Sequence, residues 1–148
     1  MKIITDQKHL NKVCKPVDYK QSKQIANKMI MFMLSNKNIN DNSIGLACNQ
    51  LGLSGRIIIV KIKNRWVRFI NPIMCYKSDE TIITDESCLS VPNKTIKVER
   101  SKTIMIIDDK STNKNKWKNG MKFTGMDAIV IQHEIDHLNG IIITDKEL

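Results

Sequence analysis

The residues best suited to chemistry lie near the end of the chain, in Gln132-His133-Glu134-Ile135-Asp136-His137, which contains H-E-x-x-H. On a helix, His133 and His137 stand one turn apart on one face and can share a metal ion. Glu134 lies beside them, within reach of a water held by that ion. A metal lowers the pKa of such a water toward neutrality, and the carboxylate can take its proton. Met126, Ile129 and Val130 fall on the same face as the two histidines at helical spacing. Imidazoles buried on an apolar face need partners, and a metal would supply them.

A hydrolytic metal site wants three protein ligands and one open position. In a longer pattern a third histidine would follow three residues after the glycine, but that position is Ile143. The only glutamate after His137 is Glu147, too close to the motif to return from another helix. The third ligand is therefore expected upstream. The best candidate is Cys88, in Glu86-Ser87-Cys88-Leu89-Ser90, because a thiolate suits zinc or ferrous iron.

Three segments then stand together: Ser43-Ile44-Gly45-Leu46-Ala47-Cys48-Asn49-Gln50, Glu86 to Ser90, and Gln132 to Gly140. In order and spacing they resemble the signature motifs of the peptide deformylases, G-x-G-L-A-A-x-Q, E-G-C-L-S and Q-H-E-x-D-H-L-x-G. Leu10-x-x-Val13-x-Lys15-Pro16-Val17, Phe69-Ile70-Asn71-Pro72, Ser90-Val91-Pro92 and Val98-x-Arg100 extend the likeness over almost the whole chain.

The resemblance implies removal of the formyl group from the N-terminal formyl-methionine of nascent polypeptides, with release of formate. It implies one divalent cation on Cys88, His133 and His137, ferrous iron in the cell, with zinc, nickel or cobalt able to substitute. Glu134 would be the acid/base, and the Gln50 amide and the Leu89 N–H would donate to the oxyanion. Backbone groups of Ile44, Gly45 and Ser87 would hold the peptide as an added strand. Ile44, Met126, Ile129 and Val130 would line the methionine pocket. Glu86 and Arg100 would form a supporting ion pair, with Asp136 as a further support behind the ligands. Nascent formyl-methionyl peptides and the ribosome are the implied partners. Two other readings are a small zinc peptidase, disfavoured by the missing third His or Glu, and a non-catalytic ribosome- or RNA-binding relative, disfavoured by the retained Glu134 and Gln50.

Some positions depart from the family pattern. Ser43 replaces the first glycine of the first motif, Cys48 its second alanine, and Ser87 the glycine before the metal cysteine. Ser87 is expected to narrow access to the site. Thr95 stands where many bacterial members carry arginine at the pocket rim. The sequence as read ends at Leu148, and the C-terminal helix with which bacterial members dock on the ribosome is expected to have no counterpart; the short form resembles phage-encoded members.

The elements that must position these residues are legible in outline. Ile25, Met29, Ile30 and Met33 predict an amphipathic helix over Lys20–Asn36, followed by a polar loop over Asn36–Ser43. Short β-branched runs predict strands at Arg56–Lys63, Trp66–Ile70, Thr81–Thr84, Thr95–Glu99 and Thr103–Asp108. Lys110–Gly120 reads as a mobile hairpin loop. Thr124 is expected to cap the metal helix with Asp127 as its capping-box partner, Gly140 to end it, and Ile141–Thr144 to form a last strand. The whole predicts one α+β domain over residues 1–148, with mostly antiparallel sheets around the H-E-x-x-H helix.

Composition fits that picture. The 148 residues suit one hydrophobic core. The formal charge is +9, but Lys supplies 20 of the 24 basic residues and is scattered, as in a chain rich in Ile and Asn from an AT-rich genome. Attraction to ribosomal RNA is the functional alternative. No apolar run approaches membrane-spanning length, and no secretory signal is expected, so the reading is a cytoplasmic monomer, in the host cytoplasm if phage-encoded. None of the four cysteines forms a C-x-x-C pair, and Cys14, Cys48 and Cys75 read as buried apolar thiols.

Overall fold

The computed structural model describes residues 1–109 and 120–148. The expected loop over Lys110–Gly120 falls outside them except for Gly120. Helix α1 (Gln7–Leu10) and helix α2 (Tyr19–Ser35) each start on an aspartate, Asp6 and Asp18, whose carboxylates accept from Lys8 N and Gln21 N. Such a cap satisfies backbone donors that the first turn leaves free. Ser22, Ala26, Met29, Phe32 and Met33 form the buried stripe of α2.

The expected loop after α2 is instead a short helix, α3 (Lys37–Asn42). Its sequence is a poor helix former, and tertiary contacts hold it. Ile39 packs on the core, the Asn40 carbonyl accepts from Lys61 Nζ at 2.7 Å, and Asn40 Oδ1 accepts from Trp66 Nε1 at 2.8 Å.

Three antiparallel sheets follow. The first has the order β1-β2-β3, with β1 (Gly45–Ala47), β2 (Ile57–Ile62) and β3 (Arg65–Ile70). Lys63 and Asn64, at φ 49° and 65°, make the two-residue turn between β2 and β3. The second sheet has the order β4-β7-β8, with β4 (Ile73–Lys77), β7 (Thr103–Ile107) and β8 (Met121–Thr124). The third is a long hairpin of β5 (Thr81–Cys88) and β6 (Val91–Ser101). Ile57 to Val60 of β2 are completely buried, because α2 and α4 (Gly125–Leu138) both pack on that strand. Burying each such side chain is worth about 1.5–3 kcal/mol. Phe69 and Phe123 meet edge to face at 5.7 Å between the first two sheets.

Two expectations about the C-terminal part need correction. Thr124 is the N-cap residue of α4, but its side chain makes no cap hydrogen bond. It is the last residue of β8, paired with Thr103, and the chain swings into the helix through Gly125 at φ 61°. The capping box with Asp127 is therefore not made. Gly140, at φ 73°, does end α4, with Ile141 N donating to Asp136 O. The expected strand at Ile141–Thr144 is not formed; Ile143–Lys146 is a 3-10 turn, closed by Asp145 Oδ2 accepting from Ile142 N. Ile143 is buried there with Cys88, Ile96 and Val98, and Ile142 is buried too, so the isoleucine run serves packing and no ladder. Among the described residues, no helix is long and apolar enough to cross a membrane.

Candidate active site

Helix α4 is buried almost all round, and carries Gln132, His133, Glu134 and His137 into the interior. Gln132 is paid no metal role by its position: its amide clasps the Ser101 backbone, accepting from Ser101 N at 3.1 Å and donating to Ser101 O at 2.9 Å. That clasp fixes α4 against β6. Cys88 arrives from the end of β5, where a bulge between Glu86 and Cys88 re-aims the chain.

One ligand atom from each of Cys88, His133 and His137 lies within 4.8 Å of the others. Cys88 Sγ is 3.3 Å from His137 Nε2. His133 Nδ1 is held by Glu86 Oε1 at 2.9 Å, which leaves its other ring nitrogen for a cation. Glu134 is 4% exposed and its Oε2 has no protein partner. A soft thiolate, two imidazoles and an orphaned carboxylate oxygen beside them suit a divalent zinc- or iron-type cation.

Behind this set runs a chain of charge. Arg100 grips Glu86 through Nε and Nη2, both at 2.8 Å, and its Nη1 pairs with Asp136. Thr84 Oγ1 donates to Glu86 Oε2 at 2.8 Å. Burial opposes ionisation of Glu86, but hydrogen bonds from Arg100 and His133 prevail and hold its carboxyl at about 2. Burial likewise opposes charge on His133, yet its bonds to Cys88 and Glu86 lift it to about 10. His137 is driven down to about 3 by burial and then by the charge on His133. The protein alone thus favours a proton on His133, which a bound cation would replace. Burial raises Glu134 to about 7.

Gln50 sits in a 3-10 turn, Cys48–Leu51, directly after β1. Its Oε1 accepts from Ala47 N at 2.9 Å, and this orients the amide. Nε2 then donates to Ser90 Oγ at 3.0 Å and faces Cys88 Sγ at 3.7 Å. Leu89 lies in the turn after Cys88.

Gln50, Glu86, Cys88, His133 and Glu134 line a cleft of about 460 Å³. Its walls bring together Ile44, Gly45, Ser87, Leu89, Met126, Ile129 and Val130. Met126 is 62% exposed, so it belongs to the cleft mouth and not to the core. β1 is an edge strand. The Ile44 carbonyl is committed to Lys61 N at 2.8 Å, so Ile44 meets the cleft with its side chain. Alternation along the antiparallel pair turns the Gly45 N–H and C=O to the open edge. A Cβ on Gly45 would lie 2.6 Å from Glu134 Oε1. Ser87 Oγ is 3.4 Å from Thr95 Oγ1 at the rim.

Three neighbours escaped the sequence reading of the site. Ser90 shares the Gln50 amide, Thr84 bonds Glu86, and Asn49 Nδ2 donates to His137 O at 2.9 Å. Ser90 and Asn49 lie inside the motifs, and Thr84 precedes Glu86 by the two-residue period of a strand.

A thiolate and two imidazoles around one point, with a buried carboxylate and an amide donor facing it, define the class of metal-dependent hydrolases. The family model for polypeptide deformylases matches residues 1–147. The chain belongs to that family. A peptide deformylase of Finegoldia magna is 38% identical over 128 residues, covering 85% of this chain and 74% of that one. Several further relatives are matched over 58 to 66% of their own length. The class I type b peptide deformylase of Acinetobacter baumannii superposes with a TM-score of 0.79 at 28% identity, covering 99% of this chain and 98% of that one. A probable peptide deformylase of synechococcus phage S-SSM7 gives 0.77 at 32% identity, covering 99% and 97%.

Proposed function

We propose that this chain removes the formyl group from N-terminal formyl-methionine of nascent polypeptides, acting as a single catalytic domain over residues 1–148. Cys88, His133 and His137 hold one divalent cation, ferrous iron in the cell, with zinc, nickel or cobalt able to replace it. Bound there, the cation supplies the Lewis acidity that makes water nucleophilic near neutral pH. The peptide lies extended along the Gly45 edge and the Ser87 strand, with its methionine against Ile44, Met126, Ile129 and Val130. Glu134 takes the proton of the attacking water and passes it to the departing amine; a carboxyl near 7 is matched to both steps. Gln50 Nε2 and the Leu89 N–H donate to the oxyanion as it develops. Glu86, Arg100 and Asp136 hold His133 and the Cys88 strand in place.

The observation that carries this reading is the convergence of the Cys88/His133/His137 set, Glu134 and the Gln50 amide at one end of a cleft bordered by an open strand edge. The test is formate release from formyl-Met-Ala-Ser by protein loaded anaerobically with ferrous iron, or with nickel. No formate with either metal refutes it. A cytoplasmic monomer, in the phage host if phage-encoded, completes the proposal. The ribosome is the natural place to meet the substrate, and the net charge of +9 favours that approach.

A further inference from the structure

The cleft wall holds a polar group that the formyl chemistry does not use. Ser43 lines the cleft and is 8% exposed, and its Oγ has no hydrogen-bond partner among the described residues. A buried hydroxyl without a partner is costly, and few native structures keep one without a reason. Ser43 directly follows α3 and is extended, at φ −132° and ψ 144°. It therefore continues the line of β1, two residues before Gly45. Its side chain leaves the chain on the same side as a Cβ on Gly45 would. That side faces α4, because the Gly45 Cβ position meets Val130 and Glu134. Further along, Asn49 Nδ2 bonds His137 O. From Gly45 to Asn49 the chain thus follows α4 in the same direction. Stepping back from Gly45 to Ser43 leads toward the first turns of α4, which carry Met126 and Ile129. Ser43, Met126, Ile129 and Val130 border the same cleft.

We propose that Ser43 is a specificity-determining residue: its hydroxyl donates to the thioether sulfur of the bound N-terminal methionine and so selects methionine over an unbranched alkyl side chain of the same length. The inference rests on the reading of the cleft as a formyl-methionine site. Ile44, Met126, Ile129 and Val130 can sense the size of a side chain, but apolar walls discriminate poorly between groups that differ by about one methylene. A hydroxyl can tell sulfur from methylene, because the thioether is a weak acceptor and the methylene is none. With methionine bound, Ser43 Oγ gains its missing partner. With norleucine it stays unpaired against an alkyl chain. A turn about Cα–Cβ between staggered wells swings Oγ along the wall toward the sulfur. Glycine at this position, as in the family motif, could not do this.

The test is a cycle of two side chains and two proteins. kcat/KM for formate release is measured for formyl-Met-Ala-Ser and formyl-norleucyl-Ala-Ser, with the nickel-loaded full chain and with Ser43→Ala. Binding of Met-Ala-Ser and norleucyl-Ala-Ser to the same proteins is measured by calorimetry. The unsubstituted chain is expected to favour methionine, and Ser43→Ala to cut that preference about threefold to tenfold in both measurements, the range of one neutral hydrogen bond. A merely structural role would change both side chains alike and leave the ratio where it was. Ser43→Gly removes the hydroxyl without leaving a methyl group, and is expected to give the same ratio as Ser43→Ala. An unchanged ratio in either variant, an unsubstituted chain that does not distinguish the two side chains, or binding of neither tripeptide overturns the inference. No formate from either peptide, with a binding preference for methionine that Ser43→Ala abolishes, refutes the deformylase reading and supports the Ser43 contact.

Discussion

Replacing Gly45 by alanine isolates the placement of Glu134 from the metal itself. The new Cβ would lie 2.6 Å from Glu134 Oε1, 2.8 Å from Val130 Cγ1 and 2.9 Å from Glu134 Cγ. Ordinary carbon contacts sit near 3.5–4.0 Å, so the carboxylate must retreat by about 1 Å. Misplacement on that scale costs about 100-fold in rate, or about 3 kcal/mol of transition-state stabilisation. Overpacking of this kind destabilises by about 1–3 kcal/mol. Gly45 is not among the residues at positive φ, so alanine recovers roughly 0.4–1 kcal/mol through the unfolded chain. Gly45→Ala is therefore expected to fold, to keep its metal and to lose about two orders of magnitude in kcat. The assay is formate release from formyl-Met-Ala-Ser together with metal content. A thermal double-mutant cycle supplies the control. In Glu134→Ala, two of the three close contacts vanish, and the destabilisation by Gly45→Ala should shrink by about 1 kcal/mol or more. Additive destabilisation in that cycle, or kcat within about threefold of the parent, refutes the placement of Glu134 by the bare glycine edge.

Cys88→Ala is expected to lose both metal and activity, whereas Glu134→Gln keeps the metal and loses about 100- to 10,000-fold in kcat; metal analysis beside kinetics separates them, and equal metal contents would contradict the assignment. Glu86 is held at about 2, below its ordinary 4.5. Its contribution, about 3 kcal/mol, is thus present above about pH 4.5 and lost as pH falls from there toward 2. Urea midpoints of the parent and Glu86→Gln should converge over that window, and a constant gap would show that Glu86 is not held ionised. Ser87→Gly removes the hydroxyl that faces Thr95 and is expected to lower KM for formylated peptides by less than about tenfold, with metal content unchanged; a loss of metal would mean that Ser87 supports Cys88 instead of narrowing the cleft.

Local signals located α2, the β2–β3 hairpin and α4 because each carries a period that its own residues reveal. The metal set was legible for a related reason: helical geometry alone places His133 over His137. Cys88 was harder to place, since its position depends on a bulge and a hairpin turn that no local period announces. β1 escaped notice as a strand because three residues, one of them glycine, show no alternation. α3 escaped because its stability comes from Lys61 and Trp66, which lie beyond it in sequence. The run Ile141–Ile143 misled in the opposite sense, for β-branched composition describes a half-buried surface as well as a strand.

Charged contacts join the three elements around the candidate ligands. Glu86 comes from β5, Arg100 from β6, and Asp136 with His133 from α4. Buried charges are costly unless each is paired, and here every one of these four groups is bonded to another of the set. Removing Glu86 or Arg100 would strand a buried charge, so the network favours one arrangement of the three elements. That arrangement is the one in which Cys88 and the two histidines already face a common point. The donor set is therefore organised by the protein before any cation binds.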